Sequence, residues 1–385
     1  MKKIAFITDK VYPYFIGGQE KRIFEYSKIL KNLDQFEVSI VSMKWWQDSE
    51  KFVKNINYIS ICSQSQIYKK NGKRNILSSM RFGIATFFYV LKSDDDILDI
   101  EIFPYFPVIS ARLASIFKRK KPIIVGYWAE YWGKEYWHEY YGFFWFIGVF
   151  LEKISYISCD KIIANSYFTQ DKLQWAFGKD KEKIMTIFPI SVDIDRINKV
   201  SNQYKKYDII YYGRIIAHKH VEHIIDIVKR IKLDNHNIKA LIIGEGPDDK
   251  IIKEKILSDK LSENIEFINF IDDYDVLISR IKSAKLMIQL SEREGFGITV
   301  IESNACGVPV LIIDYPDNAA KELINNDENG FVCKDVEDVY KKSNLLLFGE
   351  SNEMLNEMSQ NSVRIVQKYS YERMQKIIQK YYINL

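Results

Sequence analysis

Residues Ser291–Pro309 read SEREGFGITVIESNACGVP, and their reading decides the rest of the chain. An apolar run, Lys285–Leu290 (KLMIQL), stands before them, and a second, Val308–Ile313 (VPVLII), closes them. Both have the length of strands rather than helices. Gly295 and Gly297 flank Phe296 ahead of a helical run, Ile298–Cys306. Gly307 stands where a helix C-terminal glycine belongs, with Pro309 beyond it. Glycines at a helix start leave backbone N–H groups open, and the helix dipole adds partial positive charge, which suits a phosphate or another anion. Glu294 lies just before this helix and Glu302 within it, with seven residues between them. Both carboxylates can face one ligand at different depths and accept hydrogen bonds from sugar hydroxyls. The plainer alternative is a helix-start acid and a solvated Glu.

Working outward, the same strand–helix alternation fills the chain. In the second half, strands are predicted at Tyr207–Tyr212, Ile238–Ile243, Asn264–Phe270, Lys285–Leu290 and Val308–Ile313, with a helix at Val221–Lys232. In the first half they are predicted at Lys3–Thr8, Phe36–Ser42, Ile56–Ile61, Ile97–Ile102, Pro122–Val125, Cys159–Ala164 and Lys183–Ile187, with a helix at Glu20–Leu33. Such alternation means βαβ units and parallel sheets. The fold class is therefore α/β, with two doubly wound parallel-sheet domains. The polar stretch Ser191–Lys206 marks the boundary, dividing residues 1–190 from 191–369, and an amphipathic helix is expected over 370–385. Open α/β sheets bind ligands beyond the carboxyl ends of their strands, so a crevice between the domains is the expected site.

Composition narrows the class. The 385 residues are 47% hydrophobic and 28% charged, with a net charge of +4, which excludes a disordered chain and gives no argument for nucleic acid. Cys62, Cys159, Cys306 and Cys333 show no paired spacing and read as reduced thiols of a cytosolic protein. The first apolar run is too short for a signal peptide, and no run is long enough to span a membrane, so a cytoplasmic protein is expected.

Two further segments fall at strand ends. Tyr212–His220 (YGRIIAHKH) brings Arg214, a planar fork for phosphate oxygens, and Lys219, a point charge. Solvated basic residues in a loop are the alternative. Tyr14–Glu20 (YFIGGQE) places a Gly-Gly pair at a strand-to-helix turn, where backbone can approach a ligand closely, but it is not a GxGxxG dinucleotide fingerprint. Asp94–Asp96 stands at a polar turn and is read as solvated acids, not a metal site, and the histidines 218, 220 and 223 lack a fourth ligand for zinc.

Taken together, EGFG…E, GR…K, GEGP and the N-terminal GG.E resemble the retaining glycosyltransferase family 4, the glycogen-synthase-like group 1 glycosyl transferases. Pro189–Asp193 (PISVD) resembles that family's interdomain element with its Asn and Gly lost. The resemblance implies a GT-B fold, two Rossmann-like domains facing a deep interdomain cleft, with an acceptor-side first domain and a nucleotide-sugar-binding second domain. It implies a retaining hexosyltransferase that uses a nucleotide-diphospho-sugar and needs no metal or other cofactor. Arg214 and Lys219 would hold the diphosphate, and Glu294 the donor-sugar hydroxyls, helped by backbone at Phe296 and Gly297. Ile298 and Thr299 would offer N–H groups to the distal phosphate, Glu302 would accept the ribose hydroxyls, Gly244 would lie at the donor, and Gly18 would let the first domain close over the diphosphate. Where many relatives carry a His in the first domain, this chain has Ala129, within GYWAEYWG. Either activity does not need that His, or a neighbour such as Glu130 replaces it, or the chain is a non-catalytic nucleotide- or sugar-binding homologue.

Acceptor recognition is expected in the first domain, with Trp128, Glu130 and Trp132 on the acceptor side. The dense aromatic set over Tyr127–Phe150 and the basic runs Lys118–Lys121 and Lys69, Lys70, Lys73, Arg74 fit a glycan or polyprenyl-linked acceptor and peripheral contact with an anionic membrane at its inner face. The alternative is that the aromatics pack a core and the cations solvate helix ends.

Overall fold

The computed structural model describes residues 1–15, 17–47, 56–69, 73–178, 183–187, 191–204, 206–349 and 353–385. Ile16 of the Gly-Gly segment, Lys70 of the second basic run, Pro189 and Ile190 of PISVD, and Lys205 of the boundary stretch lie outside them. The chain divides into two compact units, Met1–Ile190 with Met374–Leu385, and Ser191–Arg373.

The first unit runs β1 (Lys2–Ile7), α1 (Gly18–Lys31), β2 (Phe36–Lys44), β3 (Asn57–Ser63), α2 (Ile76–Lys92), β4 (Ile97–Glu101), α3 (Phe106–Ile116), β5 (Ile123–Trp128), α4 (Gly133–Tyr141), α5 (Trp145–Ser158), β6 (Lys161–Ala164), α6 (Tyr167–Phe177) and β7 (Ile184–Thr186). Its seven-stranded sheet has the order β3-β2-β1-β4-β5-β6-β7, and every pairing is parallel. Strands so enclosed read as continuous apolar runs, as Ile4–Ile7 and Ile97–Ile100 do, every residue buried and Asp99 the one polar side chain among them.

The second unit runs α7 (Ile194–Lys199), β8 (Tyr207–Tyr212), α8 (Val221–Asp234), β9 (Ala240–Ile243), α9 (Asp249–Ser258), β10 (Ile265–Ile268), α10 (Tyr274–Ile281), β11 (Ala284–Gln289), β12 (Arg293–Glu294), α11 (Ile298–Ala305), β13 (Val310–Ile313), β14 (Asp317–Asn318), β15 (Gly330–Cys333), α12 (Val336–Phe348) and α13 (Glu353–Val366). Its six-stranded parallel sheet is ordered β10-β9-β8-β11-β13-β15. A last helix, α14 (Tyr371–Ile383), begins in this unit and continues into the first.

Several sequence expectations are corrected. The strand predicted at Pro122–Val125 extends to Trp128, so Gly126–Trp128 belong to the sheet and not to a loop. The polar boundary stretch contains α7, opened by the Asp193 side chain, which accepts from the Arg196 N–H. Strand β15 was not anticipated, because its GFVC run is short. In the second basic run Lys69 is exposed, but two of the described cations are engaged. Arg74 is buried and paired with Asp9, and the Lys73 ammonium donates to the Tyr140 carbonyl.

Two buried polar arrangements fix the first unit. Arg22 on α1 and Asp99 on β4 pair at 2.9 Å, both wholly buried. The second Asp99 oxygen accepts from the Tyr382 hydroxyl on α14, and the guanidinium lies 3.7 Å over the Tyr127 ring. The other arrangement is Glu152 on α5. Its carboxyl accepts from the backbone N–H groups of Trp132 (2.9 Å) and Gly133 (3.1 Å) at the start of α4, and from the Tyr105 hydroxyl at 3.3 Å. It thus holds the segment that follows β5 in place through a helix N-terminus. Burial raises its pKa from the ordinary 4.5 to about 7, against those hydrogen bonds.

Two outcomes are expected. All seven tryptophans lie between residues 45 and 175, so indole fluorescence reports the first unit alone. Asp99→Ala should lower its stability in urea by about 3–5 kcal/mol, because it strands a buried guanidinium. Arg22→Met with Asp99→Leu should cost much less. For Glu152, the folded state keeps a proton between about pH 4.5 and 7 that the unfolded state has lost, so its contribution falls as pH rises. Glu152→Gln should remove that slope, roughly 3 kcal/mol across the window. Parallel pH profiles for the two proteins would contradict this.

Candidate functional site

The second sheet reverses its strand order between β8 and β11, and such a switch point is where open α/β sheets bind ligands. The sequence places Gly213 and Arg214 after one of these strands and Ser291–Glu294 after the other. The two loops are stitched together, with the Glu292 N–H donating to the His218 carbonyl at 2.8 Å. Asn318 on β14 donates to the Ser291 carbonyl at 3.0 Å, and β12 pairs with β14 through Glu294 and Asn318. Glu294 is therefore held by its backbone as well as by its side chain.

That side chain takes two donors. The Lys219 ammonium and the Gln289 amide both donate to Glu294 Oε1, and the Lys219–Glu294 pair is only partly screened from solvent. Gln289 in turn accepts from the Thr299 hydroxyl at 3.1 Å, and the Tyr212 hydroxyl donates to the Thr299 carbonyl at 2.6 Å. Burial, and then the charge of Lys219, push the His218 imidazole down to about 4, with Arg293 and Arg214 acting in the same direction and Glu294 against them. His218 is thus neutral, at the centre of a group formed by Lys219, Glu294, Arg293 and Arg214. Arg214 itself is exposed.

Helix α11 opens beside this group. Its N-cap, Gly297, has φ 101°, a left-handed conformation that favours glycine, and a Cβ there would come within 2.7 Å of Ala320. No side chain caps the helix, and Ile298 and Thr299 form its first turn. Glu302 follows on the next turn, mostly buried, with the Tyr274 hydroxyl at the start of α10 hydrogen-bonded to it.

The residues foreseen in the second half are thus brought together at one sheet edge, with two refinements. Phe296 turns its ring into the interior, edge-on to Tyr369 at 5.9 Å, which leaves only its backbone for a ligand. Gly244 has a packing reason: a Cβ there would sit 1.9 Å from the Gly213 carbonyl oxygen, so glycine lets the loop after β9 close on the loop after β8.

The first-half residues fare less evenly. Gly18 is the first residue of α1, after the N-cap Gly17. Trp128 does not belong to an acceptor surface. It ends β5 with 1% exposure and packs at 6.1 Å from Phe177, so no sugar can stack on it. Tyr127 and Trp137 of the aromatic set are buried likewise. Trp132 and Glu130 are half-buried in the segment that Glu152 holds, Trp132 lying 4.9 Å from Phe103 and 4.7 Å from Trp137. Ala129 is half-buried between them and the strand.

A polar cluster at the first sheet's own switch point, β1 against β4, was missed. Thr8 donates to Glu101 at 2.8 Å, Lys10 pairs with Glu20, and Asp9 pairs with Arg74. Burial and then the Glu20 charge raise the Glu101 pKa. The signal was available: Asp9 and Glu101 are carboxylates that end apolar strand runs, as Gln289 nearly does.

Comparison with known proteins identifies the family and the fold. Residues 193–364 match the model of glycosyl transferases group 1, and residues 16–196 match that of glycosyltransferase family 4. Among curated relatives, a poly(glycerol-phosphate) alpha-glucosyltransferase of Bacillus subtilis is 28% identical over 43% of this chain and 24% of its own length. The capsular polysaccharide biosynthesis glycosyltransferase CapM of Staphylococcus aureus is 28% identical over 54% of this chain and 58% of its own. The chain spans about a quarter to three-fifths of the length of the first such relatives. Solved structures align along the whole chain. HepE of Anabaena, in complex with UDP and glucose, has a TM-score of 0.73 at 16% identity over 100% of both chains. Sucrose-phosphate synthase of Thermosynechococcus elongatus has 0.77 at 14% identity, over 100% of this chain and 99% of its own. The fold is GT-B, and the chain belongs to the group 1, family 4 glycosyltransferases.

Proposed function

We propose that the protein is an active, retaining glycosyltransferase. It moves a hexose-type sugar from a nucleotide-diphospho-sugar to a glycan or lipid-linked acceptor, on the cytoplasmic side and in peripheral contact with the membrane. The observation that carries this reading is the Lys219–Glu294 pair beside the uncapped start of α11. One spot then offers a cation, a helix N-terminus and a carboxylate. The first two suit a diphosphate and the third suits sugar hydroxyls.

In this reading Lys219 and Arg214 stabilise the negative charge that grows on the departing diphosphate, and the N–H groups of Ile298 and Thr299 take the distal phosphate. Glu294, already oriented by Gln289, accepts from the donor sugar, and Glu302 accepts from the ribose. The departing phosphate helps to deprotonate the acceptor hydroxyl on the same face, which retains configuration. These cations do the neutralising, so no metal is required. Glu130 and Trp132 remain the acceptor-side residues. HepE was crystallised with UDP and with UDP-glucose, which puts UDP first among nucleotides to try. Ala129, where relatives carry a His, favours a second reading: a homologue that binds the donor without turning it over.

Thermal-shift titration with UDP, GDP, ADP and their sugars tests the site, because a ligand of the folded state raises its stability with concentration. One nucleotide should stabilise the protein equally with EDTA and with Mg²⁺. Lys219→Ala should weaken that nucleotide roughly tenfold to a hundredfold, the weight of a charge-assisted hydrogen bond. Glu294→Gln should leave nucleotide binding within a few-fold and lower transfer by about a hundredfold. No shift with any nucleotide refutes the site, and binding without turnover on any acceptor supports the second reading.

A further inference from the structure

Helices α2, α3 and α5 expose large apolar residues in addition to those they bury. An ordinary surface helix turns its large apolar residues inward. Here the buried side of α5 is Gly148, Glu152, Ser155, Tyr156 and Ser158, and Phe146, Ile147, Phe150 and Ile157 are exposed. On α2 the buried set is Ser78, Ser79, Phe82, Gly83, Thr86 and Val90, and Leu77, Met80, Ile84 and Phe88 are exposed at helical spacing as well. On α3 Ala111, Ala114 and Ser115 are buried, and Leu113 and Ile116 are exposed.

The inward side has its own explanation. Gly83 admits Phe106, and Gly148 admits Trp137, at distances where a Cβ could not fit. The inward hydroxyls of Thr86 and Ser115 donate to carbonyls of their own helices. Close packing therefore needs small residues there. Nothing in it requires large apolar residues outside, where Leu77 is 77% exposed, Phe143 80% and Phe150 61%.

These surfaces form one face. The connections β3 to β4, β4 to β5 and β5 to β6 all advance in the same direction across the sheet. Right-handed crossovers then put α2, α3 and α5 on the same side, and α3 packs on both of the others. An apolar cavity of about 290 Å³ joins them, lined by Ile76, Phe106, Trp137, Phe144 and Leu151 among others. Ile76 and Phe144 are themselves exposed, so the cavity opens on this face.

The charges say what covers it. Across the three helices the only acid is Glu152, which is wholly buried, whereas Arg81, Lys92 and Lys153 are exposed. Arg119, Lys120 and Lys121 continue the cationic set just past α3, beside the exposed Phe117, with Lys120 paired to Asp96. The exposed acids Glu135 and Glu139 sit on α4, outside these helices. At the helix ends the exposed acids are paired, Asp94 with Lys3 at 2.7 Å and Asp160 with Arg112 at 2.6 Å, so the apolar face is left with a net basic set, which is complementary to an anionic lipid surface.

We infer that the outward faces of α2, α3 and α5 seat the protein on an anionic bilayer, with a lipid hydrocarbon chain entering the cavity between α2 and α5. This deepens the membrane contact of the proposed function and is independent of the transfer chemistry. No helix among the described residues is long and apolar enough to cross a membrane, so the seat is peripheral.

Flotation of the full chain with vesicles tests it. The protein should float with equal parts phosphatidylglycerol and phosphatidylcholine, and not with phosphatidylcholine alone. Leu77→Glu, Ile84→Glu and Phe150→Glu should each lower the partition coefficient roughly tenfold. Arg81→Glu with Lys153→Glu should lower it by a similar factor or more and reduce its salt dependence. Leu257→Glu, an equally exposed apolar position in the second unit, should leave it unchanged. The nucleotide-induced thermal shift should be the same in every variant, which separates failure of this face from failure of the donor site and reports folding at the same time. Wild-type protein that ignores anionic vesicles overturns the proposal, as does partition that the face variants do not alter. A wild-type dimer that the same variants dissociate makes a second copy the occupant and overturns it equally.

Discussion

The first unit is organised around one ion pair that water never reaches. Placing Arg22 and Asp99 in the interior costs several kcal/mol per charge, and the cost is offset only if the remaining polar capacity is used. Asp99 uses both oxygens, one on Arg22 and one on Tyr382. Arg22 donates to Asp99 through Nη2 and lays its guanidinium over Tyr127, with Tyr26 at 5.2 Å, while its Nε and Nη1 find no hydrogen-bond acceptor among the described residues, so the ring faces supply the rest of the compensation. The pair therefore ties α1, the central strand β4, its neighbour β5 and the last helix to one another. Its geometry is directional where apolar packing is not, so it sets the register of the helices on that side of the sheet. The opposite side is built differently, from small residues that let helices approach one another closely.

Both units place their polar chemistry by the same rule. In a parallel sheet every strand ends on the same edge, and the loops diverge where the strand order reverses. At β8 and β11 that divergence is filled by Lys219, Glu294 and Gln289, and at β1 and β4 by Asp9, Glu101 and their partners. The two clusters differ in openness. The second-unit pair is partly accessible and adjoins a helix start. The first-unit carboxylates are buried and tied to Thr8, Lys10 and Arg74, which makes them a rigid floor under the loops around them.

Much of this was legible in the sequence because parallel strands buried on both faces are uninterrupted apolar runs, and because glycines before a helix mark a specific backbone geometry. Arg214, Lys219, Glu294 and Glu302 could be found from their positions after such runs. Trp128 could not be placed correctly, since an aromatic next to a strand reads the same whether the strand stops before it or includes it. Nor could Arg74 be told from a solvated cation, because its partner Asp9 is 65 residues away. Glu152 was hidden for a related reason. In sequence it is one acid in an apolar helix, and its role exists only once the start of α4 is brought beside it. Helices α2 and α5 were hard to read by periodicity, because they carry apolar residues on both their buried and their exposed sides.

The last helix also has a temporal consequence. Residues 374–385 belong to the first unit, yet a ribosome makes them after the whole of the second. During synthesis every residue of Ser191–Arg373 is made before Tyr382, so Asp99 lacks the Tyr382 hydroxyl until the chain has grown past the whole second unit. In chain order the second unit is an insertion in the first, so the first unit's buried ion pair gains its third partner only after the second unit has been made.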